Sequence, residues 1–201
     1  AYAHPTDFYE QHEIELLSGT TVTGIKPGNS RIALDGGREL AYDRLLLSTG
    51  AEPRRLSVPG AELEGVYYLR TLADCDALRE RLDAGGHVAV IGAGWIGSEF
   101  AASARQRGLE VTLIDPLALP NERIFGPEIG GFYRDVHAQH GVELVLGDGV
   151  EALEGDRAVE RVRTASGRVI DCDFAVIGIG VSPRVDLAAA AGAKIENGIV
   201  V

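Results

Sequence analysis

The stretch His87-Val88-Ala89-Val90-Ile91-Gly92-Ala93-Gly94-Trp95-Ile96-Gly97-Ser98-Glu99 decides the fold. Its apolar first half leads directly into the pattern Gly-x-Gly-x-x-Gly, and a helical pattern follows without a break. In such a motif the first glycine, Gly92, allows a tight turn off a strand, and Gly94 lets the backbone approach a pyrophosphate. Gly97 lets the new helix pack close to the sheet. The stretch therefore predicts the strand, turn and helix of a dinucleotide-binding unit.

An acidic residue follows at the distance that this motif requires. Leu109 to Ile114 reads as a second strand, and Asp115, 18 residues beyond Gly97, ends it. A carboxylate at this place accepts hydrogen bonds from both ribose hydroxyls and repels a 2′-phosphate, so the sequence predicts NAD(H) rather than NADP(H). The alternative is an ordinary charge at the end of a strand.

The pattern around this motif predicts an α/β fold, a Rossmann-like doubly wound parallel sheet with a three-stranded antiparallel meander. Amphipathic helices are expected at 72–84, at 95–107 and from Pro127 to His140, and a buried strand at 173–178. The meander strands are expected at 150–153, 159–164 and 169–170.

The first third of the chain predicts strands and a linker. Asp35-Gly36-Gly37 is a hairpin signal between 31–34 and 38–41. The apolar run 42–48 is typical of a strand buried on both faces, and the proline-containing stretch 52–64 of a surface linker.

The composition narrows the class of protein. The 201 residues are 45% hydrophobic and 24% charged, with a net charge of −11, which argues against general nucleic-acid binding. No apolar run approaches the length of a membrane span, and residues 1–5 lack the basic and apolar regions of a secretory signal, so we expect a cytoplasmic protein without a membrane partner. The sequence has no methionine, which suggests a piece of a longer chain. Cys75 and Cys172 are expected to be reduced thiols.

The order of the motifs resembles a known superfamily. The segment Ser48-Thr49-Gly50-Ala51-x-Pro53-Arg54, the Gly-x-Gly-x-x-Gly unit and Gly178-Ile179-Gly180-x-x-Pro183 resemble the flavoprotein reductases of the pyridine nucleotide–disulfide oxidoreductase superfamily. Residues 53–60, 68–74 and 92–99, with Leu119-Pro120-x-x-Arg123-x-x-Gly126-Pro127, are most similar to the FAD-dependent ferredoxin reductases of bacterial oxygenases and cytochromes P450.

That resemblance implies an activity. The parent enzyme would take hydride from NADH to FAD and pass single electrons to a [2Fe-2S] ferredoxin, the cofactors performing the redox chemistry without an acid or base from the protein. Two alternatives stay open: an NADH oxidase or disulfide-reductase relative, and an inactive nucleotide-binding module.

The resemblance also divides the chain. Residues 1–65 would be a partial FAD-binding segment with a linker, 66–180 the NAD-binding domain, and 181–201 the start of the returning FAD segment. Such reductases open with a second glycine motif for FAD, and later carry a Gly-Asp motif that touches the flavin and an interface domain; the resemblance implies that none of these lies within the 201 residues. The isolated chain is therefore expected to bind NAD(H), to lack flavin and to catalyse nothing.

The resemblance assigns further roles. Glu99 would point to the nicotinamide end, or else only stabilise a helix N-terminus. Arg123 would lie beside the adenosine half, or else be a solvated loop arginine. Trp95 would border the pyrophosphate and flavin, or else pack in the core. His137 and His140 are expected at the surface. The implied cofactor-binding residues are Gly92, Gly94, Trp95, Ile96, Gly97, Glu99, Asp115, Arg123, Ile179 and Gly180 for NAD(H), with Thr49, Gly50 and Arg54 for FAD.

Overall fold

The structure is a computed structural model that describes residues 4–5 and 7–201. The helices are α1 (Phe8–Gln11), α2 (Leu72–Asp83), α3 (Trp95–Gln106), α4 (Glu122–Gln139) and α5 (Asp186–Ala190). The strands are β1 (Val22–Lys26), β2 (Arg31–Leu34), β3 (Glu39–Ala41), β4 (Ala51–Pro53), β5 (Val66–Tyr68), β6 (His87–Ile91), β7 (Glu110–Asp115), β8 (Glu143–Leu146), β9 (Val150–Glu154), β10 (Arg161–Thr164), β11 (Val169–Asp171), β12 (Phe174–Ile177) and β13 (Val181–Pro183). They fall into two compact units, residues 51–182 and residues 1–50 with 183–201.

The larger unit is built on a parallel sheet of five strands in the order β5-β12-β6-β7-β8. The central strand β6 is bonded to β12 on one side and to β7 on the other. Val88 to Ile91 and Phe174 to Ile177 are all buried, because both faces of these strands are covered. This explains why their sequences are continuous apolar runs without alternation.

Helices α2 and α3 cover one face of the parallel sheet. Thr71 caps α2 through a reciprocal pair of bonds with Asp74, the two side chains each accepting from the other residue's backbone N–H. Small residues on α3, among them Ala101 and Ala104, are fully buried and let the helix lie close to the strands. The core on this face is completed by Phe100, to which the strands add valine and leucine side chains.

The antiparallel meander β9-β10-β11 covers the opposite face of the sheet. Leu153, Val162 and Ile170 point from the meander into a core shared with Ile91 and Ile177 of the parallel strands. The predicted fold class is confirmed: a Rossmann-like parallel sheet carries a three-stranded meander, and the meander stands on the second face.

The smaller unit contains the antiparallel sheet β1-β2-β3, and α5 packs along β1. Asp35-Gly36-Gly37 joins β2 to β3, as the hairpin signal predicts, with Gly36 at φ 69° and Gly37 at φ 80°. A left-handed backbone explains why glycine occupies this turn.

The prediction of a buried strand at 42–48 is wrong. Residues 43–48 form no strand, and the Leu46 side chain is 87% exposed. An apolar run becomes a buried strand only where neighbouring strands bond to it and layers cover it. Among the described residues no strand pairs with this segment.

Three smaller expectations need correction. Ala51–Pro53, which overlaps the start of the linker expected at 52–64, is a strand paired with Val181–Pro183. Helix α4 starts at Glu122 and breaks at Gly126, where φ is 77°, so Pro127 begins only its second part. His137 is 6% exposed and therefore buried, whereas His140, the C-cap residue that follows α4, is exposed.

In the described part of the chain, no helix is both long and apolar enough to cross a membrane. Cys75 and Cys172 are free thiols, as expected. The FAD and NAD labels given to segments 1–65, 66–180 and 181–201 stay predictions.

Candidate dinucleotide-binding site

Two of the three motif glycines are required by close packing. Gly92 has φ 101°, and a Cβ on it would lie 2.5 Å from the carbonyl oxygen of Gly178. A Cβ on Gly97 would lie 1.8 Å from the carbonyl oxygen of Gly92. The turn between β6 and α3 therefore has no room for a side chain at either position.

Gly94 is different, because the space beside it is open. It is the N-cap residue of α3, and a Cβ placed on it meets no atom within 4 Å. The first turn of a helix carries N–H groups without intrahelical partners and a partial positive charge. An open approach to such N–H groups fits the diphosphate of a dinucleotide.

A cleft of about 520 Å³ begins at this turn, at the carboxyl ends of β6, β7 and β12. In open parallel sheets, ligands bind in the crevice at this edge. The cleft is lined by Ile91, Gly92, Ala93, Gly94, Trp95, Ile96, Asp115, Pro116, Asn121, Arg123, Ile124, Gly178, Ile179, Gly180 and Val181.

Asp115 ends β7 at the wall of this cleft. One carboxylate oxygen accepts a hydrogen bond from the Ala93 N–H at 2.6 Å, and the other accepts from the Leu117 N–H at 2.8 Å. A carboxylate has about four acceptor sites, so two remain for hydroxyl donors. Asp115 thus holds the glycine turn and keeps the capacity to bind a ribose.

Trp95 and Arg123 lie at the mouth of the cleft. The Trp95 side chain is 49% exposed and meets the Phe125 ring edge to face, with centroids 5.0 Å apart. Trp95 is therefore outside the core. Arg123 is exposed and is the one cation among the lining residues, which makes it the candidate partner of an anionic ligand.

Glu99 lies away from the glycine cleft. It is exposed and lines a second groove, of about 430 Å³, which α2 and α3 form with Cys75 and Leu78 among the other lining residues. Ile96 lines both spaces. The placement of Glu99 at the nicotinamide end stays a prediction.

Ile179 and Gly180 line the cleft, and the Ile179 backbone lies beside the glycine turn, since a Cβ on Gly92 would lie 3.2 Å from the Ile179 nitrogen. Gly180 has φ 104°, and its carbonyl accepts a bond of 3.0 Å from the Arg54 N–H. The Arg54 Nε donates to the Val181 carbonyl at 3.2 Å. Arg54, expected to contact FAD, is therefore held against the backbone that follows the cleft wall.

Thr49 and Gly50 belong to the smaller unit. The Thr49 hydroxyl donates to the Arg184 carbonyl at 2.6 Å, and the Arg184 N–H donates to the Gly50 carbonyl at 3.0 Å. Gly50 has φ 73°. Their role toward FAD stays a prediction.

Sequence reasoning missed Asn121. It is 5% exposed, has the left-handed backbone of φ 55°, and lies in the cleft wall. Its N–H donates to the Ala93 carbonyl at 2.8 Å. An asparagine directly before a helical pattern is an N-cap signal, which points to this position without indicating its burial.

A glycine turn, a helix N-terminus and an acid on the next parallel strand define a dinucleotide-binding α/β unit. Residues 3–201 match the sequence model of the family described as pyridine nucleotide-disulphide oxidoreductase. The chain belongs to this family.

Two curated relatives are reductases by name. The chain is 40% identical to rhodocoxin reductase of Rhodococcus erythropolis over 198 residues, which is 98% of this chain and 46% of the relative. It is 38% identical to putidaredoxin reductase CamA of Pseudomonas putida over 206 residues, covering 100% of this chain and 49% of the relative. The chain thus spans about half the length of these relatives.

Two solved structures are similar to this chain over nearly its whole length. The ferredoxin reductase for the CYP199A2 system of Rhodopseudomonas palustris matches with a TM-score of 0.95 at 38% identity, over 99% of this chain and 49% of that one. The covalent putidaredoxin reductase–putidaredoxin complex matches with a TM-score of 0.93 at 38% identity, over 100% of this chain and 49% of that one.

Proposed function

We propose that this chain is the NAD(H)-binding part of an FAD-containing ferredoxin reductase. The observation that carries the nucleotide site is the open space at Gly94, the N-cap of α3, in the same cleft as Asp115. The similarity to a solved structure named as a ferredoxin reductase, and to putidaredoxin reductase in its covalent complex with putidaredoxin, favours this activity over an NADH oxidase or a disulfide reductase.

The residues of the cleft bind and orient the nucleotide. The N–H groups at the start of α3 receive the diphosphate, and Asp115 accepts from the adenosine ribose. We place Arg123 toward the adenosine half, Trp95 toward the nicotinamide half, and Ile179 and Gly180 in the cleft wall beside the glycine turn. Glu99 lines the separate groove between α2 and α3, and its assignment to the nicotinamide end rests on the family resemblance alone. Bound NADH supplies a hydride, which is two electrons, to FAD, and the electrons leave singly to two [2Fe-2S] ferredoxins.

The FAD-binding role is assigned to segments 1–65 and 181–201, with Thr49, Gly50 and Arg54 as contacts, and the protein is assigned to the cytoplasm. The 201 residues contain a single Gly-x-Gly-x-x-Gly motif, at 92–97. Because that motif binds NAD(H) in this proposal, the diphosphate of FAD has no second glycine turn within these residues.

Calorimetry on the purified 201-residue chain tests the nucleotide site. We expect it to bind NADH more tightly than NADPH, to be colourless, and to show no NADH-dependent ferricyanide reduction above background. Absence of NADH binding would refute the nucleotide site, and stoichiometric flavin or diaphorase turnover would refute the assignment of the FAD segments.

The coding sequence on either side of this chain tests the reaction. A ferredoxin gene nearby supports the ferredoxin reductase, and a redox-active cysteine pair upstream of residue 1 overturns it in favour of a disulfide reductase. In a longer protein that includes these residues, Glu99→Gln should slow hydride transfer more than it weakens NADH binding.

A further inference from the structure

A short chain of hydrogen bonds links Asn121 to the glycine turn. The Asn121 side-chain Nδ2 donates to the Ser98 hydroxyl at 3.4 Å, and that hydroxyl donates to the Ala93 carbonyl at 3.3 Å. The Asn121 backbone N–H donates to the same carbonyl at 2.8 Å. Ser98 is 4% exposed and Asn121 5%, so both lie inside the protein next to the cleft.

These bonds fix the direction of one peptide unit. The Ala93 carbonyl and the Gly94 N–H belong to the same planar trans peptide, so they point in opposite directions. Holding the carbonyl toward Asn121 and Ser98 therefore turns the Gly94 N–H away from them. Gly94 is the N-cap of α3 and has open space beside it, where the proposed diphosphate lies.

The other end of the same residue is held by Asp115, whose carboxylate accepts from the Ala93 N–H at 2.6 Å. Ala93 is thus fixed at its N–H by the acid of β7 and at its carbonyl by Asn121 and Ser98. Preorganised donors bind an anion better than donors that must first rotate into place.

The left-handed backbone alone does not account for the side chain at position 121. Asparagine tolerates φ 55°, and glycine tolerates it with less cost. The asparagine amide is also poorly satisfied: within the described residues its Oδ1 is buried and has no hydrogen-bond partner. A buried acceptor without a partner lowers stability, so this side chain is a poor choice for folding alone.

We propose that Asn121 and Ser98 are positioning residues of the nucleotide site, which orient the Ala93–Gly94 peptide so that the Gly94 N–H is directed at the diphosphate. The proposal rests on the proposed NAD(H) site. Neither side chain touches the nucleotide in this role.

The test compares Asn121→Gly, Ser98→Ala and the double variant. Asn121→Gly keeps the left-handed backbone and the N–H bond to Ala93 while removing the amide. Dissociation constants are measured for NADH, for ADP-ribose, which keeps the diphosphate, and for adenosine, which lacks it. Thermal unfolding of each variant is recorded beside the binding.

We expect each single variant to weaken NADH and ADP-ribose by about fivefold while adenosine is unchanged. The double variant should bind NADH no more weakly than whichever single variant binds it less tightly. The reason is that the two side chains act in series on one carbonyl. The control is Thr164→Val, which removes another fully buried hydroxyl, in the meander strand β10. It should lower stability and leave all three dissociation constants unchanged.

Unchanged NADH binding in both single variants, or an equal loss for adenosine, would overturn the proposal and leave Asn121 a structural residue. Additive losses in the double variant would also overturn the series arrangement. If the unaltered chain fails to bind NADH, the proposed function itself fails, which is a distinguishable result.

Discussion

The Asp115 carboxylate accepts a 2.6 Å hydrogen bond from the backbone N–H of Ala93. The acid assigned to the ribose is therefore also a structural support of the glycine turn that we propose receives the diphosphate. A substitution of Asp115 is therefore expected to affect the binding of both the ribose and the diphosphate of the proposed ligand.

Asp115→Asn is expected to weaken NADH binding by about tenfold and to reduce the preference for NADH over NADPH. The amide cannot accept from both the Ala93 and Leu117 N–H groups, and it no longer repels a 2′-phosphate. Calorimetry with both nucleotides measures the change, with Asp156→Asn, an exposed acid of the meander turn, as control. Tighter binding of NADPH by the unaltered chain would contradict the role of Asp115.

Gly94→Ala is expected to abolish NADH binding and leave the fold intact, because its Cβ enters open space that we assign to the diphosphate. Gly97→Ala should lower the free energy of unfolding by about 3 kcal/mol, because its Cβ has no room beside the Gly92 carbonyl. Urea unfolding and calorimetry separate the two effects. Gly28→Ala, also in open space, is the control; a Gly94→Ala variant that binds like the unaltered chain would be the contrary result.

Trp95 is expected to report nucleotide binding. It is the only tryptophan, and its half-exposed ring lines the cleft. Adding NAD⁺ should change the emission of the indole and reduce its quenching by acrylamide, because the bound ligand covers it. The titration is repeated with Gly94→Ala, which should give no change. If emission and quenching both stay constant at saturating NAD⁺, Trp95 does not contact the ligand.

Acid is expected to destabilise the fold partly through His137. Burial lowers the pKa of His137 below its ordinary value of 6.5, and the neighbouring His140 lowers it further. In the unfolded chain the imidazole gains its proton near the ordinary value, so the unfolded state binds more protons below it. The contribution to stability is complete above that pH and is lost as the pH falls toward the folded value.

Urea unfolding between pH 7 and pH 5 measures this effect. His137→Gln should flatten the pH dependence of the free energy of unfolding relative to the unaltered chain. The exposed His12 provides the control, since His12→Gln should leave the slope unchanged. An unaltered slope in His137→Gln would show that other groups cause the acid loss.

The two thiols are expected to react at different rates. Burial, with Asp173 and Asp171 nearby, raises the pKa of the Cys172 thiol to about 12, whereas Cys75 is half-buried. Alkylation at pH 8 in the native state should therefore modify Cys75 first, because the thiolate is the reactive form. Mass spectrometry after brief labelling identifies the site, and Cys75→Ser should remove the fast reaction.

The elements around the glycine motif could be predicted because their signals are local. The order of β6, turn and α3, and the acid at the end of β7, follow from residue type and spacing within 29 positions, His87 to Asp115. The meander strands could be predicted in the same way, from turn residues that separate short runs of β-branched residues.

Features that depend on partners distant in the chain could not be predicted. The apolar run containing Leu46 reads as buried, although whether it is buried depends on which strands bond to it. The burial of His137 depends on which side of α4 faces β8. Asn121 carries no local sign that its amide reaches Ser98, 23 positions earlier. In each case the sequence shows what a residue tolerates and the tertiary packing decides where it lies.

The strand order of the parallel sheet sets the time at which the cleft is completed during synthesis. Tyr68 of β5 is paired with Ile177 of β12, which lies 109 positions later. Until β12 leaves the ribosome, β5 has no neighbour within its sheet, and the cleft lacks the wall formed by Ile179 and Gly180. Pairing over such a separation closes slowly. The nascent chain therefore exposes one edge of β6 from the synthesis of Ile91 until that of Phe174, and we expect the proposed nucleotide to find its complete cleft only after residue 180 has been made.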